Sequence, residues 1–362
     1  MVHLAGIVAM NRVLVFAALV LLAVQPARGE GLLDWLDSVR PPSAHQQPTR
    51  DHAELLTLEP GQQEMYPQVS PDGRYMLVAV HDHRRLLVSR RLTENGDPLN
   101  VVSDDVHAPD SIAWYGKGQV SFLSERAGGL GIWVKAADGQ GVVKRLMRLF
   151  GHLTQARVLP DGSLLAVRLD PLPGHNAPKR TLHMRRDAFE NWQVNGFKTR
   201  IVRINADGLE QVLAEGSNPA VSPDGKWIVF SMAAGRSRHL FLMRIDGSEL
   251  VQLTDARSID VQPAWSPDGR WIVFASNRGA PDMRHPQKSN WDIWAIGRDG
   301  RGLTRLTEDP ARDGAPSVGP DGRVYFHSDR KISADERALH QVSGPVGGFH
   351  VWVVRAPKLA AR

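Results

Sequence analysis

The chain has 362 residues, no cysteine and a formal net charge of +5 at pH 7. Without cysteine, a disulfide framework is excluded, and so is a lipoprotein anchor, which needs a cysteine directly after the signal. Positive and negative residues are interspersed, and no Lys/Arg run carries interleaved aromatic residues, so no nucleic-acid partner is expected. No cofactor is expected, because phosphate and dinucleotide motifs are missing.

Residues 1–29 are predicted to be a secretory signal peptide. Arg12 supplies the positive charge, residues 13–24 form an apolar run, and residues 27–29 (Ala-Arg-Gly) place small residues at the cleavage site. A start at Met10 would give the same signal. The run is shorter than the roughly 20 residues of a membrane-spanning helix. Cleavage is therefore favoured over a retained anchor, and the mature chain is expected to be periplasmic or secreted, with no membrane span.

Residues 30–53 are predicted to be a short helix followed by a linker. The apolar residues with helical spacing are Leu32, Leu33, Trp35, Leu36 and Val39. Two prolines, Pro41 and Pro42, end the pattern. The helix is expected to pack on the domain that follows, and a partner-binding arm is the alternative.

Residues 54–362 contain a repeat of about 44 residues. Residues 69–78, 221–230 and 265–274 share a Ser-Pro-Asp-Gly turn followed by an apolar run, and three weaker copies occur. The marker glycines are Gly73, Gly118, Gly162, Gly225, Gly269 and Gly322. Their separations are 45, 44, 63, 44 and 53 residues, which indicates six units with two insertions.

Each unit is predicted to form one four-stranded antiparallel sheet. Proline presets φ, aspartate caps the turn and glycine accepts positive φ, so Pro-Asp-Gly and Asp-Gly sequences mark hairpins between short β-rich runs. The structural turn residues are Asp72, Gly73, Asp224, Gly225, Asp268, Gly269, Asp321 and Gly322. One such sheet cannot bury both faces, so we expect an all-β fold, a six-bladed β-propeller.

An N-terminal strand is predicted to close the ring. Residues 54–58 resemble the last strand of a unit, as in residues 303–307, whereas the final unit ends at residues 351–354 without one. Pairing of the two segments would cover a bare sheet edge.

The units resemble the TolB-type propeller repeat, most clearly over residues 261–309. The matching elements are a Trp-Ser-Pro-Asp-Gly turn, an Ile-Val-Phe strand, Ser276-Asn277-Arg278-Gly279, Asp292-Ile293-Trp294, Asp299-Gly300 and Leu306-Thr307. This repeat occurs in periplasmic TolB, in prolyl oligopeptidase-like peptidases and in some polysaccharide lyases. The resemblance therefore implies an architecture and leaves the activity open.

Two departures narrow what the resemblance implies. TolB carries a separate α/β domain ahead of its propeller, and residues 30–53 are too few to form one, so a TolB role with its lipoprotein partner is not expected. A peptidase would need a Gly-x-Ser-x-Gly nucleophile elbow and a hydrolase domain. The nearest string, residues 235–239, lacks the second glycine, so a peptidase is not expected.

The insertions are predicted to lie on one face of the ring. Residues 171–198, 277–291 and 328–349 each join the second and third strands of a unit, and long polar loops at a channel mouth commonly bind ligands. The predicted ligand-binding residues are Arg180, His183, Arg185, Arg186, Arg284, His285 and Lys288. We therefore expect an exported, non-enzymatic binding or scaffold protein of the cell envelope, engaging an envelope protein, a peptide or an acidic polymer through one channel mouth. Ordinary solvated loops are the alternative.

A metal site is the second hypothesis. His81 and His83 place two imidazoles on one side of a strand end. Oligogalacturonate lyases of similar fold hold a divalent metal among propeller histidines, so the alternative function is a metal-dependent lyase or hydrolase acting on acidic polysaccharide. Histidines bonded only to backbone or water are the simpler interpretation.

Overall fold

Short β-branched and aromatic runs between the turns form 24 strands in the computed structural model, which describes residues 51–82, 85–175, 189, 196–344 and 346–359. The predicted signal peptide and the helix predicted after it lie outside these residues. Among the described residues, no helix is long and apolar enough to cross a membrane.

The strands form six four-stranded antiparallel sheets, the blades of a propeller. Blade 6 takes its outermost strand from the N-terminus, β1 (Glu54–Leu55). Blades 1 to 3 consist of β2 (Gln62–Val69), β3 (Tyr75–Asp82), β4 (Arg85–Leu92) and β5 (Pro98–Ser103); β6 (Ala113–Tyr115), β7 (Gln119–Ser124), β8 (Gly131–Ala136) and β9 (Lys144–Arg148); and β10 (Leu153–Val158), β11 (Leu164–Pro171), β12 (Phe197–Ile204) and β13 (Glu210–Glu215). Blades 4 to 6 consist of β14 (Ser217–Val221), β15 (Trp227–Ala234), β16 (Ser237–Arg244) and β17 (Val251–Gln252); β18 (Asp260–Trp265), β19 (Trp271–Ser276), β20 (Asp292–Gly297) and β21 (Thr304–Arg305); and β22 (Asp313–Val318), β23 (Arg323–Ser328) and β24 (His350–Arg355) with β1.

Helical structure in the described residues is limited to one short α-helix and three 3₁₀ turns outside the strands. The α-helix α1 (Ala334–Leu339) lies between β23 and β24 and begins with a capping box formed by Ser333 and Glu336. Three 3₁₀ turns cover Pro109–Ser111, Pro286–Lys288 and Pro357–Leu359.

The ring closes as the sequence predicts. In β1, Glu54 and Leu55 pair antiparallel with Val353 and Trp352 of β24. The Thr57 hydroxyl then accepts a hydrogen bond from the Val351 N–H at 3.1 Å. Thr254 and Thr307 make the equivalent bond to the third strands of blades 4 and 5, at 3.0 and 2.8 Å. The Leu-Thr sequence of the repeat therefore ends each of these fourth strands, and residues 54–57 complete blade 6 in the same way. The predicted all-β, six-bladed fold is confirmed.

The hydrophobic core lies between neighbouring blades. Met76, Val78 and Val80 of β3 pack against Val351 and Val353 of β24, so one cluster joins blades 1 and 6. Another joins blades 4 and 5 through β15, β16, β19 and β20. Because blades stack face to face, consecutive residues of a middle strand are buried, as along β19, and these strands read as continuous apolar runs.

Candidate functional site

The connections divide the ring into two faces. We call the side with the links between first and second and between third and fourth strands the turn face. The opposite side, with the links between second and third strands and between blades, is the loop face. The long connections 172–196, 277–291 and 329–349 all join second and third strands, so they belong to the loop face.

The innermost strands of five blades carry a β-bulge at an equivalent position. The bulged residues with positive φ are Tyr66, Gln155, Asn218, Gln262 and Ala315, with φ between 46° and 54°. The strand register shifts at each of them. A bulge bends its strand and redirects a side chain, so these residues form a ring across the channel, which we call the waist.

Hydrogen bonds link the waist from blade to blade. Gln155 Oε1 accepts from the Asn218 N–H at 2.6 Å, and Asn218 Oδ1 accepts from the Gln262 N–H at 3.4 Å. Gln262 Oε1 accepts from the Ala315 N–H at 2.8 Å. His327 Nδ1 continues the series and accepts from the Tyr66 N–H at 3.1 Å. The waist is therefore held by side chains that satisfy main-chain donors of the next blade.

Aromatic side chains fill the loop-face side of the waist. Phe189, from the connection between β11 and β12, is fully buried. Its ring centroid lies 5.0 Å from Trp291, 5.8 Å from His327 and 6.1 Å from Phe349. A Cβ atom on Gly314 would lie 2.6 Å from Phe189 Cζ, so glycine permits this close approach. We call Phe189, Trp291, His327 and Phe349 the aromatic plug.

His327 in the plug is held in its neutral form. Burial, with a smaller contribution from the Arg312 guanidinium, lowers its pKa to about 3. Since Nδ1 accepts a hydrogen bond from the Tyr66 N–H, the neutral tautomer has its proton on Nε2. This residue acts as a structural hydrogen-bond acceptor of the waist.

On the turn-face side the channel is open and forms a cavity of about 630 Å³. First strands form its walls, with Trp114 and Trp265 among the lining residues. The indole N–H of Trp114 donates to Gln68 O at 2.8 Å, and that of Trp265 donates to Ala220 O at 3.0 Å, so each indole bridges two blades. The prolines of the repeated turns at the mouth are Pro71, Pro160, Pro223, Pro267 and Pro320.

Two of the residues that line the cavity carry charge, Asp110 and Arg157. Arg157 Nη1 donates to the main-chain oxygens of Asp110 and Ala156 at 2.9 and 3.0 Å. Asp110 Oδ1 accepts from the Thr154 hydroxyl at 3.0 Å. Burial lowers the pKa of Arg157 to about 10, against the opposing effect of Asp110, and the guanidinium stays charged at neutral pH.

The turn residues singled out in the sequence surround the cavity mouth. Gly73, Gly225, Gly269 and Gly322 have φ between +69° and +79°. In the first turn, Asp72 accepts from the Ser70 hydroxyl at 2.6 Å and pairs with Arg74 at 2.7 Å. Hydrogen bonding, with the Ser70 hydroxyl contributing most, lowers the pKa of Asp72 to about 2. The pairs Asp268–Arg270 and Asp321–Arg323 repeat this arrangement. These rim carboxylates are therefore largely compensated by neighbouring cations.

The Ser-Asn-Arg part of the repeat is structural. Arg278 Nε donates to the Ser276 hydroxyl at 3.1 Å, and its Nη2 pairs with Asp260 at 2.6 Å. The same guanidinium lies over the Phe274 and Trp294 rings. The equivalent groups in blades 2 and 6 are Ser124, Arg126 and Asp105, and Ser328, Arg330 and Asp313. In blades 5 and 6 the motif joins the first three strands.

The predicted loop-face cations are only partly described. Arg284, His285 and Lys288 are exposed in the connection between β19 and β20. His285 Nδ1 lies 3.3 Å from Asp282 Oδ2. Arg180, His183, Arg185 and Arg186 lie outside the described residues, so their convergence with the first group stays a prediction.

The predicted metal ligands are not brought together within the described residues. His81 is buried at the end of β3, while His83 lies outside them. No group of three or more His, Asp or Glu side chains suited to a metal ion occurs in the part of the chain that the structure describes.

Sequence reasoning missed the cavity and the waist, although a signal was present. Four bulged residues are followed by a proline that stands four residues before the turn proline: Pro67, Pro219, Pro263 and Pro316. Proline cannot donate to a β-ladder, so within strands it is confined to edges and bulges. This second proline therefore marks the bulge and the side chain that faces the channel.

Comparisons with known proteins agree with this architecture. Residues 201–287 match the family described as the TolB beta propeller domain. No curated protein matches the chain. A putative TolB from Agrobacterium tumefaciens shares 19% identity, with 82% of this chain and 91% of that chain covered and a TM-score of 0.51. Regucalcin, a calcium-binding protein from A. tumefaciens strain C58, shares 15% identity, with 84% of this chain and 94% of that chain covered and a TM-score of 0.53. An oligogalacturonate lyase in complex with manganese shares 11% identity, with 86% of this chain and 96% of that chain covered and a TM-score of 0.49.

At these identities the likeness shows the fold alone. The chain carries a TolB-like repeat in a six-bladed β-propeller. One fold can carry unrelated functions, so the propeller by itself does not decide between binding and catalysis.

Proposed function

We propose that this protein is an exported binding module that accepts an extended polypeptide segment in the cavity on its turn face. The observation that supports the proposal is the cavity itself, about 630 Å³ in volume and open between the repeated turns. Ligand pockets commonly measure about 300–1,000 Å³ and combine apolar walls with a few polar groups. A short stretch of peptide has the width and mixed polarity to enter such a channel.

The rigidity of the cavity favours binding. Its walls are innermost strands, its waist is held by hydrogen bonds between blades, and its mouth is built from proline-containing turns. A preformed site avoids much of the entropy cost of ordering side chains when a ligand binds. Here that advantage applies on the turn face, where the connections between the described strands are short.

Export is the second part of the proposal. It rests on the apolar run 13–24 with small residues after it, which lies outside the described residues. If this protein is exported, its partner would be a protein of the cell envelope. The ligand that we propose is a flexible segment of such a protein.

The test uses a fluorescein-labelled pool of random octapeptides, with binding to the full chain measured by fluorescence anisotropy. Ala264 lines the cavity and is half-buried, so Ala264→Trp should fill it and weaken peptide binding at least tenfold. Lys288→Trp adds the same side chain at an exposed loop-face position and serves as the matched control. Absence of saturable binding to the wild type, or binding that Ala264→Trp leaves unchanged, would overturn the proposal.

A further inference from the structure

We propose that the bound segment is recognised through a carboxylate, either an acidic side chain or the free end of the chain, which pairs with Arg157 inside the cavity. This inference rests on the proposed function and names the chemistry of its ligand. It starts from the position of the arginine in the channel wall.

Arg157 is placed by the bulge in β10. The strand register shifts between Thr154 and Arg157, and the side chain after the shift lines the cavity. Its Nη1 is held by two main-chain oxygens, those of Asp110 and Ala156. One edge of the guanidinium is therefore oriented by the protein, and a planar fork oriented in this way can bind a carboxylate through two parallel hydrogen bonds.

The hydrogen-bond partners of Arg157 differ from those of the arginines around the mouth. Arg74, Arg270 and Arg323 each pair with the aspartate of their own turn, at 2.5–2.7 Å. The hydrogen bonds of Arg157 go to uncharged carbonyl oxygens, and Asp110 uses Oδ1 to accept from Thr154. A desolvated cation attracts an anion more strongly than an exposed one, because its field is less screened.

The surroundings favour a carboxylate over a doubly charged group such as phosphate. Among the described residues that line the cavity, Arg157 is the only one with a positive charge. A phosphate would bring a second negative charge without a second cation to meet it, and Asp110 would repel the doubly charged group more strongly than a single carboxylate. The remaining walls contain tryptophan, proline, alanine and valine, which suit the apolar neighbours of an acidic residue in a peptide.

The experiment compares peptide pools on the wild-type protein. Two random hexapeptide pools are prepared, one with free C-terminal carboxylates and one amidated, and a third amidated pool omits Asp and Glu. We expect the pool that lacks all carboxylates to bind at least tenfold more weakly than the others. Preference for the free-acid pool would identify the chain terminus as the ligand group, and enrichment of Asp or Glu in the bound amidated peptides would identify a side chain.

Variants then assign the effect to one residue. Arg157→Gln should abolish the preference for carboxylates, Arg157→Lys should retain part of it, and the loop-face control Arg284→Gln should leave it intact. Equal binding of all three pools to the wild type would overturn the carboxylate inference while leaving peptide binding in place. Absence of binding by every pool would instead overturn the proposed function. The wild-type comparison holds even if Arg157→Gln does not fold.

Discussion

The two faces of the ring are built from the same strands and differ in almost everything else. On the turn face, the hairpins that link first and second strands are short, five of the six contain Pro-Asp-Gly, and an open cavity lies between them. On the loop face, the connections 172–196, 277–291 and 329–349 are long and unlike one another, and aromatic side chains fill the channel. The waist separates the two.

The difference shows that an insertion at the mouth of a propeller can fill the channel instead of forming a ligand-binding site there. Long loops at a propeller mouth suggest a binding site from the sequence, yet Phe189 from the longest of them is fully buried beside His327. The repetitive turns leave a cavity because proline and glycine carry no large side chain into it. The following predictions compare the two faces, from the largest expected effect to the smallest.

Removing the plug should have the largest effect on stability. Phe189→Ala deletes a fully buried ring in contact with Trp291, His327 and Phe349, and such substitutions cost about 3–5 kcal/mol. Urea unfolding monitored by tryptophan fluorescence measures the change. Phe150→Ala, at a position 70% exposed, is the control and should change the free energy of unfolding by less than about 0.5 kcal/mol. Equal effects of the two would contradict the plug.

Titration of Asp292 should make stability fall as pH rises. Burial, only partly offset by Arg305, raises its pKa to about 7 from 3.8. Ionisation therefore disfavours the folded state between these values, by at most roughly 1.4 kcal/mol per pH unit. The variant Asp292→Asn lacks this loss, so its stability relative to wild type should increase from pH 4 to pH 7 in urea titrations.

The turn face supplies the control of opposite sign. The pKa of Asp72 lies near 2, below its ordinary 3.8. Its stabilising effect is thus present above pH 4 and lost as pH falls toward 2. Asp72→Asn should therefore approach wild-type stability only in acid. An Asp292→Asn curve parallel to that of the wild type from pH 4 to pH 8 would show that burial does not control this carboxyl.

Two turn glycines should respond differently to the same substitution. Gly73 and Gly269 have nearly equal φ, +74° and +69°, so alanine should cost each roughly 1–2 kcal/mol in backbone strain. A Cβ on Gly73 would also lie 2.6 Å from Pro320 Cγ, whereas on Gly269 the nearest atom is Pro223 Cδ at 3.6 Å. Gly73→Ala should therefore lower the unfolding midpoint more than Gly269→Ala. The reverse order would mean that contact between turns does not matter.

Charge reversal on the loop face should have the smallest effect on folding. Arg284 and Lys288 are exposed, so changing both to Glu should shift the free energy of unfolding by less than about 0.5 kcal/mol. The sequence-based hypothesis of a polyanion site adds that the double variant should bind polygalacturonate more weakly at low salt. Lys226→Glu on the turn face is the control. Unchanged polygalacturonate binding by the double variant would remove that hypothesis.

Much of the fold could be predicted because its signals are local. A Ser-Pro-Asp-Gly turn requires its own residues and little else, so three such turns and three weaker copies at similar spacing predict six blades. The likeness of residues 54–58 to residues 303–307 predicts the closing strand. The candidate site could not be predicted in this way. Its residues lie on different blades and become neighbours only when the ring closes, as when Gln155 bonds to Asn218 across 63 positions of sequence.

The sequence by itself determined the repeat, the strand and turn pattern, and the face on which the insertions lie, because each depends on spacing and on residues a few positions apart. Only the tertiary structure decided which face holds the cavity. That choice depends on Phe189 packing against residues more than 100 positions away and on Arg157 lining the cavity beside Asp110 of the neighbouring blade. Burial of this kind depends on how the blades pack, and no local pattern of residues encodes it.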